Sequence, residues 1–254
     1  MRKYIIAGNW KMHCDRKEAA ELATGLKGTI GAITQVEAVL CPPFTNLTTV
    51  ADAIAGSNLA LGAQNVYWEA KGAFTGEIAP GFLKEIGCSY CIIGHSERRQ
   101  YFGETDETVN KKAKALLAIG IRPIICVGEL LEEREAGRTM DVVLGQTRGC
   151  VAGLTAEQMT ECVVAYEPVW AIGTGKVATP DQAQEVHAAI RGELARLFDQ
   201  KVADAVRIQY GGSMKPDNAD ELLAQPDIDG GLIGGAALKV DSFSALIEAG
   251  KKLS

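Results

Sequence analysis

A single carboxylate follows an apolar run in the second half of the chain, and a glycine-containing loop comes after it. Residues 162–165 are apolar, Glu167 stands two residues later, and Pro168 leads into a segment with Gly173 and Gly175. A carboxylate at a strand end, under a loop that closes, can take a proton from carbon once water is excluded. A solvated loop carboxylate is the alternative, but the apolar run favours a buried position. Glu167 is therefore a candidate general base, which indicates an enzyme.

A histidine and a lysine follow other apolar runs and could act beside this base. His95 lies between an apolar run and the polar residues 96–98. A helix that starts there would direct its positive end at the imidazole and favour the neutral form. Lys11 follows the first apolar run, which suggests a partly buried ammonium group. His13 and His187 lack such a setting, and we interpret them as surface or structural residues.

Two glycine-rich turns follow the last two apolar runs. The first contains Gly211, Gly212 and Ser213, and the second contains Gly234 and Gly235. Loops at these places in an α/β barrel often bind phosphate through backbone N–H groups. Tight turns without a ligand are the alternative, but two such turns at these positions favour phosphate. A cation, an imidazole and a carboxylate could thus converge on one anionic substrate that carries a carbonyl group.

Three other motifs do not support the chemistry that they resemble. Residues 173–178 match G-x-G-x-x-A, but the next helix begins only after Thr179, whereas a dinucleotide fingerprint runs directly into its helix. The same glycines do not form a Walker loop, because Val177 replaces the required serine or threonine. Cys88 and Cys91 form a C-x-x-C pair that runs into a strand, and no second pair has metal spacing.

Eight short runs of apolar or β-branched residues predict strands. Most are unbroken rather than alternating, as in a parallel sheet that helices cover on its outer face. Each run ends in glycine, asparagine, proline or a polar residue. The runs are residues 4–7, 37–41, 59–63, 90–94, 122–127, 162–167, 206–210 and 231–234.

Helical patterns alternate with these strands. Residues 15–26, 80–86, 109–119 and 243–252 are predicted helices, and capping boxes begin at Thr155 and Thr179. Gly87 and Gly120 suit helix ends. Eight alternating units predict a (β/α)8 TIM barrel that forms one domain over residues 1–254, although a doubly wound open sheet has the same alternation.

The composition is that of a globular protein that works on small molecules. The 254 residues are 47% apolar, and a formal net charge of −6 argues against a nucleic-acid partner. No apolar run reaches the roughly 18 residues of a membrane span, and the N-terminal run is too short for a signal peptide. Seven scattered cysteines fit reduced thiols. We therefore expect a cytoplasmic protein without a membrane or nucleic-acid partner.

The motifs together have a familiar order. They comprise residues 9–12, 93–99, 165–176, 210–213 and 234–236. Each could arise by chance, but all of them in order and at barrel spacing are very specific. The chain resembles the triosephosphate isomerase family over essentially its whole length. The resemblance implies interconversion of dihydroxyacetone phosphate and glyceraldehyde 3-phosphate through an enediolate, with no metal and no organic cofactor.

The resemblance also implies roles for individual residues. Glu167 would move the proton between carbons, and His95 would act as the electrophile at the substrate oxygens. Lys11 would supply positive charge, and Asn9 would make a polar contact. Backbone amides would bind the phosphate, at Gly173, Ser213, Gly234 and Gly235.

Further residues would lie behind the catalytic groups. These are Ser96, Glu97 and Cys126, with Glu97 near Lys11. A carboxylate with an ordinary glutamate pKa is a weak base, so we expect burial under the closing loop to raise the pKa of Glu167.

The family is usually a homodimer. Its third loop, here residues 64–77, reaches into the partner, and Thr75 would approach the partner's site. Ala79 and Ala237 stand where the family often has serine, and Ala237 is close to the second phosphate turn.

Other functions fit part of the pattern. One is another phosphate-binding barrel enzyme, such as a lyase or an isomerase of a larger sugar phosphate. Another is a phosphate-binding protein without chemistry, and a third is a redox enzyme that uses Cys88 and Cys91. The intact set of Lys11, His95 and Glu167 argues against a relative without activity.

Overall fold

The computed structural model describes residues 2–172 and 177–254, and its strands form one closed barrel. Neighbouring strands are parallel and follow chain order, and the last strand pairs with the first. The strands are β1 Ile5–Asn9, β2 Glu37–Cys41, β3 Ala60–Ala63, β4 Tyr90–Ile93, β5 Arg122–Val127, β6 Val163–Tyr166, β7 Arg207–Tyr210 and β8 Gly230–Ile233. The predicted (β/α)8 barrel is confirmed, and the open-sheet alternative is wrong.

Each predicted apolar run forms a strand; the bounds of β2 and β5 are as predicted, and the ends of the others are shifted by at most two residues. Asn9 is the last residue of β1, and Glu167 directly follows β6. The runs are unbroken because both faces of each strand are covered. Ile5 and Ala7 belong to the apolar interior of the barrel, whereas Ile6 packs with the surrounding helices.

Helices surround the barrel, and their apolar residues share a core with the outward-facing strand residues. The α-helices are α1 Arg16–Ile30, α2 Leu47–Ile54, α3 Pro80–Ile86, α4 Ser96–Phe102, α5 Asp106–Leu117, α6 Leu131–Glu135, α7 Thr139–Val151, α8 Ala156–Thr160, α9 Pro180–Leu197, α10 Gln200–Ala205, α11 Ala219–Leu223 and α12 Val240–Lys252. Single 3₁₀ turns lie at Phe44–Asn46, Val169–Ala171 and Gly235–Leu238. Among the described residues, no helix is both long and apolar enough to cross a membrane.

The predicted helix signals correspond to observed helix ends. Thr155 and Thr179 form the expected capping boxes. Gly87 caps α3 in the left-handed conformation, with φ 94°. Gly120 is also left-handed, but the C-cap of α5 is Ala118, so the prediction of Gly120 as the cap was wrong by two residues.

A polar cluster occupies the amino-terminal end of the barrel, where β2, β4, β5 and β7 begin. The Tyr90 hydroxyl donates to Glu37 Oε1 at 2.6 Å, and Arg207 pairs with the other oxygen of Glu37. Arg122 donates to the Tyr90 hydroxyl oxygen at 3.2 Å. This charged cluster lies at the opposite end of the barrel from Asn9 and Glu167.

Candidate active site

The predicted site residues meet at the carboxyl ends of the strands. A cavity of about 740 Å³ opens there, edged by the loops after β1, β4, β6, β7 and β8. Its lining includes most of the predicted residues, namely Asn9, Lys11, His95, Glu167, Ser213, Gly234 and Gly235. Gly173 lies outside the described residues. Thr75 is exposed on its loop and does not line this cavity.

Glu167 is held by the amino terminus of α4. Its side chain is only 2% exposed, and His95 Nε2 lies 2.9 Å from Oε1. The backbone N–H of Ser96 donates to Oε2 at 2.9 Å, and the Ser96 hydroxyl donates to Oε1 at 3.4 Å. Ser96 is the first residue of α4, and its N–H has no partner within the helix. The Glu167 carboxylate therefore accepts from an amide at the positive end of a helix.

The pKa of Glu167 reflects both its burial and its hydrogen-bond donors. Burial acts to raise the pKa, but the charge and hydrogen bond of His95 and the Ser96 N–H outweigh it, so the pKa lies below the usual glutamate value. The expected rise of this pKa under the closing loop stays a prediction, because residues 173–176 of that loop lie outside the described residues. Glu167 is ionised here and ready to accept a proton.

His95 is under opposing influences. The backbone N–H of Glu97 donates to His95 Nδ1 at 3.2 Å, which places the ring proton on Nε2, facing Glu167. Burial lowers the pKa of His95, but the neighbouring Glu167 carboxylate outweighs burial and raises it above the ordinary value. The raised pKa holds only while the pair is formed. Once the carboxylate leaves, burial and the amide at Nδ1 favour the neutral ring.

Hydrogen bonds to the backbone of Lys11 and an ion pair of its ammonium group hold this residue in place. It adopts the left-handed conformation with φ 50°, which is uncommon for a residue other than glycine. Its N–H donates to Asn9 Oδ1 at 3.0 Å, and Gln64 Nε2 donates to its carbonyl at 2.8 Å. Its ammonium lies 2.6 Å from Glu97 Oε1. These contacts direct a side chain that is 27% exposed along the cavity wall.

Close packing explains the glycines of the first turn. A Cβ at Gly211 would lie 2.8 Å from Glu167 Cγ, and one at Gly212 would lie 2.3 Å from the Tyr210 hydroxyl oxygen. In the second turn, Lys11 Cε lies 3.5 Å from the place of a Cβ at Gly234. The glycines of the first turn therefore allow the backbone to approach Glu167 and Tyr210 closely, whereas a Cβ at Gly234 would only make ordinary van der Waals contact with Lys11. Ala237 is fully buried behind this turn and does not line the cavity.

Several residues behind the cavity were not predicted to act there. Glu129 is fully buried and accepts from the Tyr166 hydroxyl at 3.1 Å and from Trp170 Nε1 at 2.8 Å. The signal for Glu129 was a carboxylate just after β5. For Gln64, the sequence carried no signal. The predicted Cys126 is buried next to Glu167, and burial followed by the Glu167 charge raises the pKa of its thiol.

The remaining candidates have structural settings. His187 is fully buried between Tyr166 and Tyr210, and burial lowers its pKa to about 3. Cys88 and Cys91 are buried free thiols whose pKa values burial raises. In the part of the chain that the structure describes, no three His, Cys, Asp or Glu side chains come together as a metal site.

The fold and the site define a class of protein, an α/β-barrel enzyme with a buried glutamate and histidine beside two glycine turns. Residues 4–250 match the family model described as Triosephosphate isomerase. A relative of that name from Herpetosiphon aurantiacus is 59% identical over 247 residues, covering 97% of this chain and 99% of the relative. Those from Carboxydothermus hydrogenoformans and Fusobacterium nucleatum are 56% and 53% identical, covering 98% of this chain and 99% and 100% of the relatives. The chain belongs to the triosephosphate isomerase family.

Proposed function

We propose that the protein is a triosephosphate isomerase that interconverts dihydroxyacetone phosphate and D-glyceraldehyde 3-phosphate reversibly. The observation that carries this proposal is the buried pair of Glu167 and His95, 2.9 Å apart, on the wall of a 740 Å³ cavity that Lys11 and both glycine turns also line. Family membership supports the choice of a triose phosphate over a larger sugar phosphate.

Glu167 is the base in this proposal. It leaves the Ser96 N–H, takes the proton from the carbon next to the carbonyl, and returns it to the neighbouring carbon. One substrate oxygen gains a proton and the other loses one, so substrate and product have the same composition. The conversion needs no electron acceptor, which fits the expectation of no metal and no organic cofactor.

His95 is the electrophile. When Glu167 leaves, the Nε2–H of His95 becomes free to donate to the substrate oxygens, where negative charge develops as the carbon loses its proton. A donor fixed in place before the reaction stabilises the enediolate more than the ground state, which lowers the barrier. The backbone N–H of Glu97 holds the ring in the required tautomer.

The remaining site residues bind the substrate. The Lys11 ammonium supplies positive charge to the phosphate ester, and Asn9 contacts the substrate oxygens while it orients Lys11. The backbone amides of Ser213, Gly234 and Gly235 bind the phosphate, and Gly173, outside the described residues, completes the set by family resemblance. Ser96, Glu97 and Cys126 support Glu167 and Lys11 from behind.

We also propose a homodimer. Large apolar side chains are exposed on the segments between β1 and the end of α4, on neighbouring sectors of the barrel. They are Met12, Phe44, Phe74, Phe82, Tyr101 and Phe102. Thr75 is exposed in the same region and would reach the partner's site. Sedimentation equilibrium that finds only a 27.0 kDa species at micromolar concentration would contradict the dimer.

Two further expectations belong to the proposal. Residues 1–254 form one domain, which is supported by the pairing of β1 with β8 and by the packing of Gly250 in α12 against Ile6. The protein is cytoplasmic, which is supported by free thiols at all seven cysteines.

A coupled assay tests the activity. Purified protein is given glyceraldehyde 3-phosphate, and the dihydroxyacetone phosphate formed is reduced by a second enzyme with NADH. Pentose phosphates in a matched assay test the alternative of another sugar-phosphate isomerase. Turnover of a pentose phosphate without turnover of triose phosphate would overturn the proposed function.

A further inference from the structure

Two segments continue to pair beyond the ends of β5 and β6. The N–H of Glu167 donates to the Val127 carbonyl at 2.8 Å, and the N–H of Val169 donates to the Glu129 carbonyl at 3.2 Å. Gly128 lies between these two bonds. A Cβ built on Gly128 would lie 1.7 Å from the carbonyl oxygen of Glu167, so the two backbones are in direct contact. The position of the Gly128 peptide therefore limits where the backbone of Glu167 can lie.

The other side of Gly128 faces no strand. β4 ends at Ile93, and the chain there turns into α4 at Ser96. Gln146 of α7 takes the place of a strand, because its Oε1 accepts from the Gly128 N–H at 2.7 Å and its Nε2 donates to the Gly128 carbonyl at 3.1 Å. One amide side chain thus provides hydrogen-bond partners for both the N–H and the C=O of Gly128, which has no strand beside it on this side.

Packing on this side of Glu167 is incomplete. A second cavity, of about 260 Å³, is lined by Gly128, Gln146, Glu167 and Val169 among others. Glu167 therefore forms part of the wall between this cavity and the substrate cavity. Because side chains do not fill the space beside Gly128, the two hydrogen bonds of Gln146 restrain that peptide where van der Waals contacts do not.

We propose that Gln146 is a positioning residue for the isomerase reaction. It holds the Gly128 peptide and, through it, the backbone from which the Glu167 side chain moves between Ser96 and the substrate. This inference rests on the proposed function. The residues whose amides are proposed to bind phosphate, Ser213, Gly234 and Gly235, do not line the cavity beside Gly128, so loss of Gln146 is expected to lower kcat and to leave KM nearly unchanged.

Gln146→Met tests the role, since methionine has a similar length and makes neither hydrogen bond. Misplacement of a catalytic group by about 1 Å costs roughly 100-fold, so a partial displacement is expected to lower kcat by at least about tenfold. Thr147→Val is the matched control. Thr147 is buried at the next position of α7 and donates only to Val143 within the helix. The Thr147→Val substitution therefore removes a buried hydrogen bond and leaves the contacts of Gly128 unchanged.

The pairing of Glu167 with His95 gives a readout that does not depend on turnover. The pH titration of the His95 ring is followed by NMR with ¹⁵N-labelled histidine, and its signal is assigned among the three histidines with His13 and His187 variants. A shifted Glu167 backbone weakens the pair, so the His95 midpoint falls in Gln146→Met and stays in place in Thr147→Val.

The outcomes separate the two claims. A parent protein without triose phosphate turnover refutes the proposed function. Equal kcat and equal His95 titration in the parent and in Gln146→Met refute the role of Gln146. So does equal loss of kcat in Gln146→Met and Thr147→Val, which would reduce the effect to general destabilisation.

Discussion

The two ends of the barrel each hold a glutamate with a lowered pKa, Glu37 partly buried and Glu167 fully buried, and the two differ in their partners. At the amino-terminal end, burial acts to raise the pKa of Glu37, and Tyr90 and Arg207 outweigh it. At the carboxyl-terminal end, His95 and the Ser96 N–H outweigh the effect of burial on Glu167. The direction of the pKa shift is the same, but only Glu167 faces a large cavity.

The partners determine which glutamate is able to react. Arg207 and Arg122 are permanently charged and both lie beside Glu37, so this carboxylate stays paired with fixed cations. In the proposed mechanism, His95 is neutral once its carboxylate leaves, and a substrate oxygen takes the place of the carboxylate. Under this proposal, a glutamate held by fixed cations is structural, and one whose partner also binds the substrate is reactive.

The largest expected effect is loss of the base. Glu167→Gln keeps the size of the side chain but cannot take a proton from carbon, so kcat falls by about 10²- to 10⁴-fold. The coupled assay measures kcat, and circular dichroism checks that the barrel remains folded. Turnover at the parental rate by folded Glu167→Gln protein would remove Glu167 from the mechanism.

The corresponding change at the other end should affect stability instead. Glu37→Gln leaves the partly buried charge of Arg207 without its carboxylate, which costs about 2–3 kcal/mol in the free energy of unfolding. Urea denaturation measures the loss, and kcat of the folded variant should equal that of the parent. A large fall in kcat would contradict the division between the two ends.

This stabilisation has a defined pH dependence. Because the folded-state pKa of Glu37 is lowered, its contribution is present above the unfolded glutamate pKa and is lost as the pH falls through the folded value. The stability difference between the parent and Glu37→Gln should therefore shrink in acid.

His187 sharpens the comparison, because it is buried without a carboxylate partner. Its pKa of about 3 in the folded protein lies below the unfolded value of about 6.5. The unfolded chain binds the extra proton between these values, so stability falls as the pH falls from about 6.5 towards 3. Between pH 6.5 and 4.5 this group accounts for a loss of about 2–3 kcal/mol.

His187→Leu should remove that part of the pH dependence. The Asp227 carbonyl that contacts His187 keeps the hydrogen bond from Arg191 at 3.2 Å, so no acceptor is left without a donor. Urea midpoints at pH 6.5 and 4.5 measure the effect. His13→Leu, at an exposed histidine, is the control, and equal pH dependence in both variants would contradict the assignment to His187.

The smallest expected effect is at Tyr90. Tyr90→Phe removes the hydroxyl that donates to Glu37 at 2.6 Å, at a cost of about 1.5–3 kcal/mol for a hydrogen bond to a charged group. The lower end is expected, because Arg207 still pairs with Glu37. Unfolding curves measure this loss. Unchanged stability would show that the arginines hold the Glu37 carboxylate without help from the Tyr90 hydroxyl.

The sequence predicted the barrel well, because its strands are covered on both faces and therefore appear as unbroken apolar runs. Short helices such as Leu131–Glu135 and Ala219–Leu223 were not predicted, since one or two turns give no periodic pattern. The ends of the strands also indicated which polar residues would meet in the cavity.

Partners that are distant along the chain could not be predicted. His95 and Ser96 lie 72 and 71 residues from Glu167, and together they lower its pKa against the effect of burial. Gln146 and Gln64 are ordinary polar residues in the sequence, and their importance comes only from the backbone groups that they meet. The left-handed backbone of Lys11 likewise depends on Asn9 and Gln64.

The pairing of β1 with β8 has a consequence during synthesis. Ile5 cannot meet Gly230, nor Gly8 meet Ile233, until the ribosome has released the more than 200 residues that lead from β1 through β8. Until then the edge of β1 that faces away from β2 has unpaired backbone groups, and such edges template aggregation. Truncations that remove β8 should therefore give insoluble protein, and chaperones that shield the nascent edge should raise the yield of folded protein.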